Sequence, residues 1–316
     1  MRHHMTDLQH AFDAYSDTIR EASLLFMMTG PSSARWGVEW YPLQRLNLQF
    51  GYDGGARVVH GIARPDAAIF MIQTVKTPHD VVFDGQLLKW HDVAVLSPGS
   101  HFTFAADTSC RWLSLTVPTD LIEGLPFINA HGISFQARNV ALRLSRTSAI
   151  QFVKVAMRVR SEAGKNANSA SALDGAHETA LLQILNNILS DPMTDTRPPG
   201  KYLLSLGEKM AKVLEYVRTN EFQHISVERL ADEMGVTTRT LFRAFKTYFR
   251  IGPKDYLKYR QLNNVRRALR SRASNDGVTR VMGEFGVTEF GRFASEYRRL
   301  FKELPSDTAA RSVSTR

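Results

Sequence analysis

Ser226-Val227-Glu228-Arg229-Leu230-Ala231-Asp232-Glu233-Met234-Gly235-Val236-Thr237-Thr238-Arg239-Thr240-Leu241-Phe242-Arg243-Ala244-Phe245-Lys246 contains two helix signals divided by one glycine. Ser226 is placed to cap the first helix, although Arg229 stands where a reciprocal capping box would need Glu or Gln. Gly235 ends that helix, Val236 fills the turn, and Thr237 caps a second helix from Thr238 to about Phe249. Leu241 and Phe245 lie four apart and are expected to face a core. Arg239 and Arg243 then share one exposed face, with Thr240 and Phe242 on the other sides. Helix, short glycine turn, helix is the unit that sets its second helix in the DNA major groove. An arginine there can bond both acceptors of a guanine edge, which makes Arg239 and Arg243 the first candidates for reading bases.

The pattern occurs twice. Val278 to Phe285 reads as a helix, Gly286-Val287 as the turn, and Thr288 as the cap of a helix from Glu289 to about Leu300. Phe293 and Tyr297 repeat the spacing of Leu241 and Phe245. A single look-alike is weak, whereas two in register are specific. Between them Pro253 can open a helix, and Lys254 to about Arg270 gives ~17 residues, or about 26 Å at 1.5 Å per residue. Such a connector sets the two reading helices roughly one DNA turn, ~34 Å, apart on one face.

Charge agrees with this reading. The 316 residues include 40 Lys and Arg against 31 Asp and Glu, a net +9. From Leu206 onward there are 22 basic and 13 acidic residues, leaving 18 of each before it, so the whole excess lies in the last third. A neutral domain beside a basic one favours a polyanionic partner over a merely solvated basic face.

At these residues the chain resembles the AraC/XylS family of transcription regulators, from about Leu206 to Asp307. Leu230 to Val236 followed by Leu241-Phe242-Arg243-Ala244-Phe245-Lys246 looks like the family's first unit. Arg260-Gln261-Leu262-Asn263-Asn264-Val265-Arg266-Arg267-Ala268-Leu269 looks like its linker helix. Phe290-Gly291-Arg292-Phe293-Ala294-Ser295-Glu296-Tyr297-Arg298-Arg299-Leu300-Phe301 with Leu304-Pro305 is similar to its second unit. The resemblance implies base-facing roles for Arg239, Phe242 and Arg243 and for Phe290, Gly291, Arg292 and Ser295. Thr240, Lys246, Arg298 and Arg299 complete the set expected against DNA, and Arg266 on the linker helix is expected to serve all DNA sequences alike. Lys302 stands where the family usually has Gly, Val287 where it usually has Phe, and Gly283 interrupts a helix at a cost of up to ~1 kcal/mol against Ala. The second unit is therefore expected to be the less stable one.

Ahead of this domain the hydrophobic period changes. Leu8, Phe12, Tyr15 and Ile19 within residues 6–28 have helical spacing. From Ser33 to about Pro118, alternation at Leu46 to Tyr52 and Leu113 to Val117, with apolar runs at Ala68 to Gln73, Val81 to Phe83 and Val93 to Leu96, reads as short strands. Turn signals at Asp53-Gly54-Gly55, Thr77-Pro78, Phe83-Asp84-Gly85 and Pro98-Gly99 divide them, which suggests a small β-barrel or jelly roll. Helical spacing resumes over Val140 to about Arg160 and Ala172 to Leu189, and Pro192, Pro198 and Pro199 mark residues 191–205 as a linker. The expected fold class is α+β: residues 1–190 a barrel with packing helices, residues 206–316 all-helical. The resemblance implies that the barrel is a cupin-like sensing domain and that its helices dimerise. The Leu181 to Leu189 stripe is wide enough to serve either its own barrel or a second subunit.

Phe50, Tyr52, Phe102, Phe104 and Trp112 can line a small-molecule effector pocket or fill a solid core, and an aromatic strand face needs packing in every barrel. His60, His79, His91 and His101 are scattered singly, so no metal or other cofactor is expected. The longest relevant apolar stretch, Ala22 to Met28, is far below the roughly 20 residues of a membrane span. No secretory signal is read in Met1-Arg2-His3-His4-Met5, and the single Cys110 fits a reducing compartment, so a cytoplasmic protein is expected. The leading expectation is a non-enzymatic regulator, an activator rather than a repressor, that binds promoter DNA as a homodimer, responds to a small molecule and contacts RNA polymerase. The alternatives are a DNA-targeted enzyme with metal or thiol chemistry in the barrel, and a ligand-independent regulator whose barrel binds a protein.

Overall fold

Strand β10, Cys110–Pro118, is the spine of the N-terminal half. It pairs antiparallel with β3, Asn47–Asp53, on one side and β5, Ala67–Gln73, on the other. The computed structural model describes residues 12, 13, 15, 18–32, 35–75, 81–125, 138–165, 170–197, 200–220, 225–271 and 277–314. The remaining strands are β1 (Ala22–Met28), β2 (Gly37–Pro42), β4 (Arg57–Ala63), β6 (Val81–Phe83), β7 (Gln86–Leu88), β8 (Asp92–Leu96), β9 (His101–Ala106), β11 (Val140–Arg143) and β12 (Asp195–Arg197). They form a five-stranded sheet, β1-β4-β9-β6-β7, and a seven-stranded sheet, β12-β11-β8-β5-β10-β3-β2. The helices are α1 (Thr119–Glu123), α2 (Arg146–Lys165), α3 (Ala170–Ser190), α4 (Lys201–Thr219), α5 (Val227–Met234), α6 (Thr238–Phe249), α7 (Pro253–Ser271), α8 (Val278–Glu284), α9 (Phe290–Phe301) and α10 (Pro305–Ser314).

The closed barrel is corrected to two open sheets packed face to face. No strand is shared between them, and each ends on a three-residue strand, β7 or β12, too short to carry pairing onward into a closed cylinder. The chain is mixed α/β. Between the sheets lie Phe26, Val59, Phe83, Phe102 and Phe104 from one side and Ile69, Leu96 and Trp112 from the other. The outer face of the seven-stranded sheet, with Leu48, Phe50, Phe70, Leu113 and Leu115, packs on α2 and α3 through Phe152, Leu181, Leu185 and Ile188. The outer face of the five-stranded sheet shares a cluster, with Met27, Val58, Val82 and Ala105, with Leu206 and Met210 of α4 and Phe245 and Tyr248 of α6, while Leu25 and Ile62 toward the other end of β1 and β4 are exposed. At the sandwich centre Gly51 is required, because a Cβ there would sit 1.9 Å from the Trp112 ring.

Other boundaries also differ from the sequence reading. Residues 12, 13, 15 and 18 are helical, but the helix expected through residue 28 gives way at Glu21 (φ 76°) to β1, which pairs along its whole length with β4. Val140–Arg143 is a strand between β8 and β12, not helix, and the helix starts at Arg146. Within the expected linker, Asp195–Arg197 is a strand and α4 begins at Lys201; Pro198 and Pro199 lie outside the described residues, as do His79, Thr77-Pro78 and Leu8. Leu181, Ile184, Leu185, Ile188 and Leu189 are buried within the chain and Leu182 is half-buried, so this stripe is spent mainly on its own sheet.

Candidate nucleic-acid interface

Helix α5 starts where Ser226 Oγ accepts a hydrogen bond from Arg229 N at 3.1 Å and stops at Gly235, whose φ of 63° is the left-handed geometry that glycine adopts without strain. Thr237 Oγ1 then accepts from Thr240 N at 3.2 Å and starts α6. Leu241 and Phe245 are fully buried, and so the same helix turns Arg239, Phe242, Arg243 and Lys246 to solvent, with Thr240 half-buried. Phe242 is 50% exposed and lies against the turn before α7, where a Cβ on Gly252 would come within 3.0 Å of its ring. Lys246 reaches over that ring at 5.7 Å. The first unit thus offers a reading face with three cations and no acidic residue in the helix.

The second reading helix begins one residue later than expected. Glu289, not Thr288, is its N-cap, without a side-chain capping bond. Phe293 and Tyr297 are buried, and Phe290, Gly291, Arg292, Ser295, Arg298 and Arg299 are exposed. Arg292 is flanked by Glu289 at 3.2 Å and Glu296 at 3.8 Å. Its charge is therefore locally offset, in contrast to the first unit. Lys302, in place of the expected glycine, caps α9 at φ 63°, and Val287 is buried.

Arg266 is a correction. Its guanidinium is only 6% exposed, donates to Asp13 at 2.7 and 2.8 Å and to Glu303 at 2.6 Å, and lies 4.5 Å over the Phe301 ring. A side chain tied this way supports the second unit from within and is not at the DNA-facing surface. α7 also fastens the two halves together: the Asn263 amide donates to Met28 O and accepts from Met28 N, and Tyr256 OH lies 3.0 Å from His60 Nε2. Burial at this seam pushes the His60 ring down to about 4, and its Nδ1 has no hydrogen-bond partner.

The five aromatic residues expected at an effector pocket are not brought together. Phe102, Phe104 and Trp112 line a cavity of about 80 Å³ between the sheets. Phe50 and Tyr52 point from the opposite face of the seven-stranded sheet, Phe50 into the layer with α2 and Tyr52 toward Arg160, whose Nη2 donates to its hydroxyl at 2.9 Å. One end of the cavity carries a polar knot that sequence reasoning missed. Asp53 accepts from the Tyr15 hydroxyl, from Trp112 Nε1 at 3.0 Å and from the Cys110 thiol at 3.2 Å, and pairs with the buried Arg57. Burial pushes the Cys110 thiol up to about 12, so it is not nucleophilic at neutral pH. Its one signal in the sequence is the i, i+4 spacing of Asp53 and Arg57 across a turn. Among the described residues no group of three or more His, Cys, Asp or Glu is placed to hold a metal ion, and no helix is long and apolar enough to cross a membrane.

Residues 230–311 match the helix-turn-helix domain family, a span that begins inside α5 and takes in both reading helices. The XylDLEGF operon transcriptional activator of Pseudomonas putida is 35% identical over 98 residues, 31% of this chain and 30% of that protein. The HTH-type transcriptional activator RhaS of Pectobacterium atrosepticum is 26% identical over 147 residues, 46% of this chain and 50% of that one. The match therefore spans less than two thirds of the length of these relatives. A probable AraC family transcriptional regulator from Rhodopseudomonas palustris, a solved structure, is 30% identical over 33% of this chain and 97% of its own, with a TM-score of 0.31. With both reading helices and their connector inside the matched stretch, the C-terminal domain belongs to the AraC/XylS family of regulators.

Proposed function

We propose that this protein regulates transcription by binding promoter DNA, with α6 and α9 in successive major grooves, and that it acts as an activator, calling on RNA polymerase. The observation that carries this reading is the pair of helix-turn-helix units whose reading helices bury one face and leave Arg239, Arg243 and Lys246 of the first and Arg292 of the second exposed. The named activity of the relatives supports the activator sense. The domain division proposed is residues 1–190 for sensing, 191–205 as connector and 206–316 for DNA, the sandwich being a cupin-like sensor whose effector lies in the cavity beside Phe102, Phe104 and Trp112. The cellular setting proposed is the cytoplasm. A homodimer would have to meet mainly through a surface other than the Leu181 to Leu189 stripe, which the chain itself largely buries. Selection of binding sites from a random DNA pool by the full chain tests the proposal: enrichment of a motif with two half-elements about one turn apart is expected, and recovery of no motif would refute it.

A further inference from the structure

Resting on the reading of the chain as a DNA-binding regulator, we infer that its two reading helices divide the work unequally: α6 reads guanines through Arg239 and Arg243, while α9 holds phosphates and leaves its half-element weakly specified. The two helices correspond position for position. Each has 12 residues, follows directly on its N-cap, Thr237 or Glu289, and ends at a left-handed residue, Arg250 (φ 61°) or Lys302 (φ 63°). The buried positions agree, Leu241 with Phe293, Phe245 with Tyr297 and Phe249 with Phe301. The outward positions do not. In the N-terminal part of the helix, which meets base edges in this motif, Arg239, Phe242 and Arg243 of α6 correspond to Gly291, Ala294 and Ser295 of α9.

Arg239 and Arg243 are exposed, α6 has no acidic residue, and among the described residues neither guanidinium is held in an ion pair, so both are free for the paired acceptors of a guanine edge. They stand four residues apart, about 6 Å along the axis at 1.5 Å per residue, or about two base-pair steps. α9 offers no equivalent. Gly291 has no side chain, the Ser295 hydroxyl donates to Gly291 O at 3.0 Å, and Phe290, the counterpart of Thr238, has a ring and no donor. Arg292 is the counterpart of the half-buried Thr240 and lies between Glu289 at 3.2 Å and Glu296 at 3.8 Å, where α6 has the uncharged Thr237 and Ala244. One cation against two carboxylates gives this end of α9 no attraction for phosphate. The surplus charge of α9 lies in its last turn, at Arg298 and Arg299, followed by Lys302, all exposed. Cations there position a helix on the DNA backbone and carry no sequence information. Packing within the chain does not impose the difference, since a Cβ on Gly291 would meet no atom within 4 Å.

The test measures binding of the full chain to the duplex selected from the random pool, with every base pair of both half-elements changed in turn. Two positions in one half, about two base pairs apart, should each cost about 5- to 150-fold in affinity, the loss of a bidentate guanine contact. No position in the other half should cost more than about fivefold. Arg239→Ala and Arg243→Ala should each flatten one position of the first half and leave the second as it was. Arg298→Ala together with Arg299→Ala should weaken all duplexes alike and lower the log–log salt slope by about two. Gly291→Arg, which gives α9 the counterpart of Arg239, should create a guanine preference of about fivefold or more in the second half. Equal discrimination across the two halves overturns the division, as does a relaxed base preference in the Arg298, Arg299 variant. A second half still unread by Gly291→Arg would show that position 291 does not face bases, and overturns it too. Binding without any sequence preference in the unaltered chain refutes the regulator reading itself, whereas equal halves refute the division alone.

Discussion

Replacing Arg266 with alanine distinguishes a structural strut from a DNA contact. In the folded chain the guanidinium bridges Asp13, 10% exposed, and Glu303, 5% exposed, from α7 to the residues that follow α9. Removing one member of a buried ion network strands the others and costs about 3–5 kcal/mol. Here Glu303 retains Arg311 and Thr308, and Asp13 retains Arg270 at 3.4 Å, so the loss falls at the lower end, about 3 kcal/mol. Urea unfolding of the full chain, followed by fluorescence, measures it, with the exposed Arg243→Ala as a control expected to move stability by no more than about 0.5 kcal/mol. The double variant Arg266→Ala, Asp13→Asn should be less destabilised than the sum of the singles by about 1 kcal/mol or more, because both remove one interaction. The reasoning is refuted if Arg266→Ala unfolds like the wild type yet binds every DNA sequence more weakly, with the log–log salt slope reduced by about one, since that is the signature of a lost phosphate contact.

Arg243→Ala should weaken binding to the selected site by about 1–3 kcal/mol and relax preference at one or two base pairs, as read by binding to a panel of single-base variants. An unchanged preference profile would remove Arg243 from base reading. Gly283→Ala should raise stability by up to about 1 kcal/mol, because the residue is helical and a Cβ there meets no atom within 4 Å; an unchanged or lowered urea midpoint would contradict this. His60 gives the domain seam a pH dependence. Its folded value of about 4 lies below the ordinary 6.5, so the stability held by the neutral ring is present above pH 6.5 and is lost as pH falls from there toward 4. Between pH 7 and pH 5 the wild type should lose about 2 kcal/mol more than His60→Gln, and equal losses in urea unfolding would show that His60 does not carry the effect.

Much of the DNA-binding half was legible because its signals are local. Ser226, Gly235 and Thr237 act within one helical turn of where they stand, and Leu241 and Phe245 follow a period that one chain segment defines. The misreadings there came from side chains whose partners are distant. Arg266 occupies a position on α7 that spacing alone leaves ambiguous, and its burial follows from Asp13, 253 positions away. Thr288 has the chemistry of a cap, but α9 starts after Glu289. In the N-terminal half the strand positions that alternate were found, whereas β1 and β11 were taken for helix because short apolar runs look alike in either conformation.

By itself, then, the sequence determined the two helix-turn-helix units, the caps of the first, the inward face of each reading helix and the basic character of the last third, since all of these are read from the residues themselves and their neighbours within a few positions. Tertiary structure alone decided which way the sheets face. Phe50 and Trp112 both lie on apolar strands, and only the register that sets Trp112 opposite Gly51 and Phe50 opposite Leu113 sends one ring into the cavity and the other toward α2. Alternation identifies an inner face when the other face meets water, and here α2 and α3 cover the outer face of the seven-stranded sheet, while residues of the reading domain bury Met27, Val58, Val82 and Ala105 on the other.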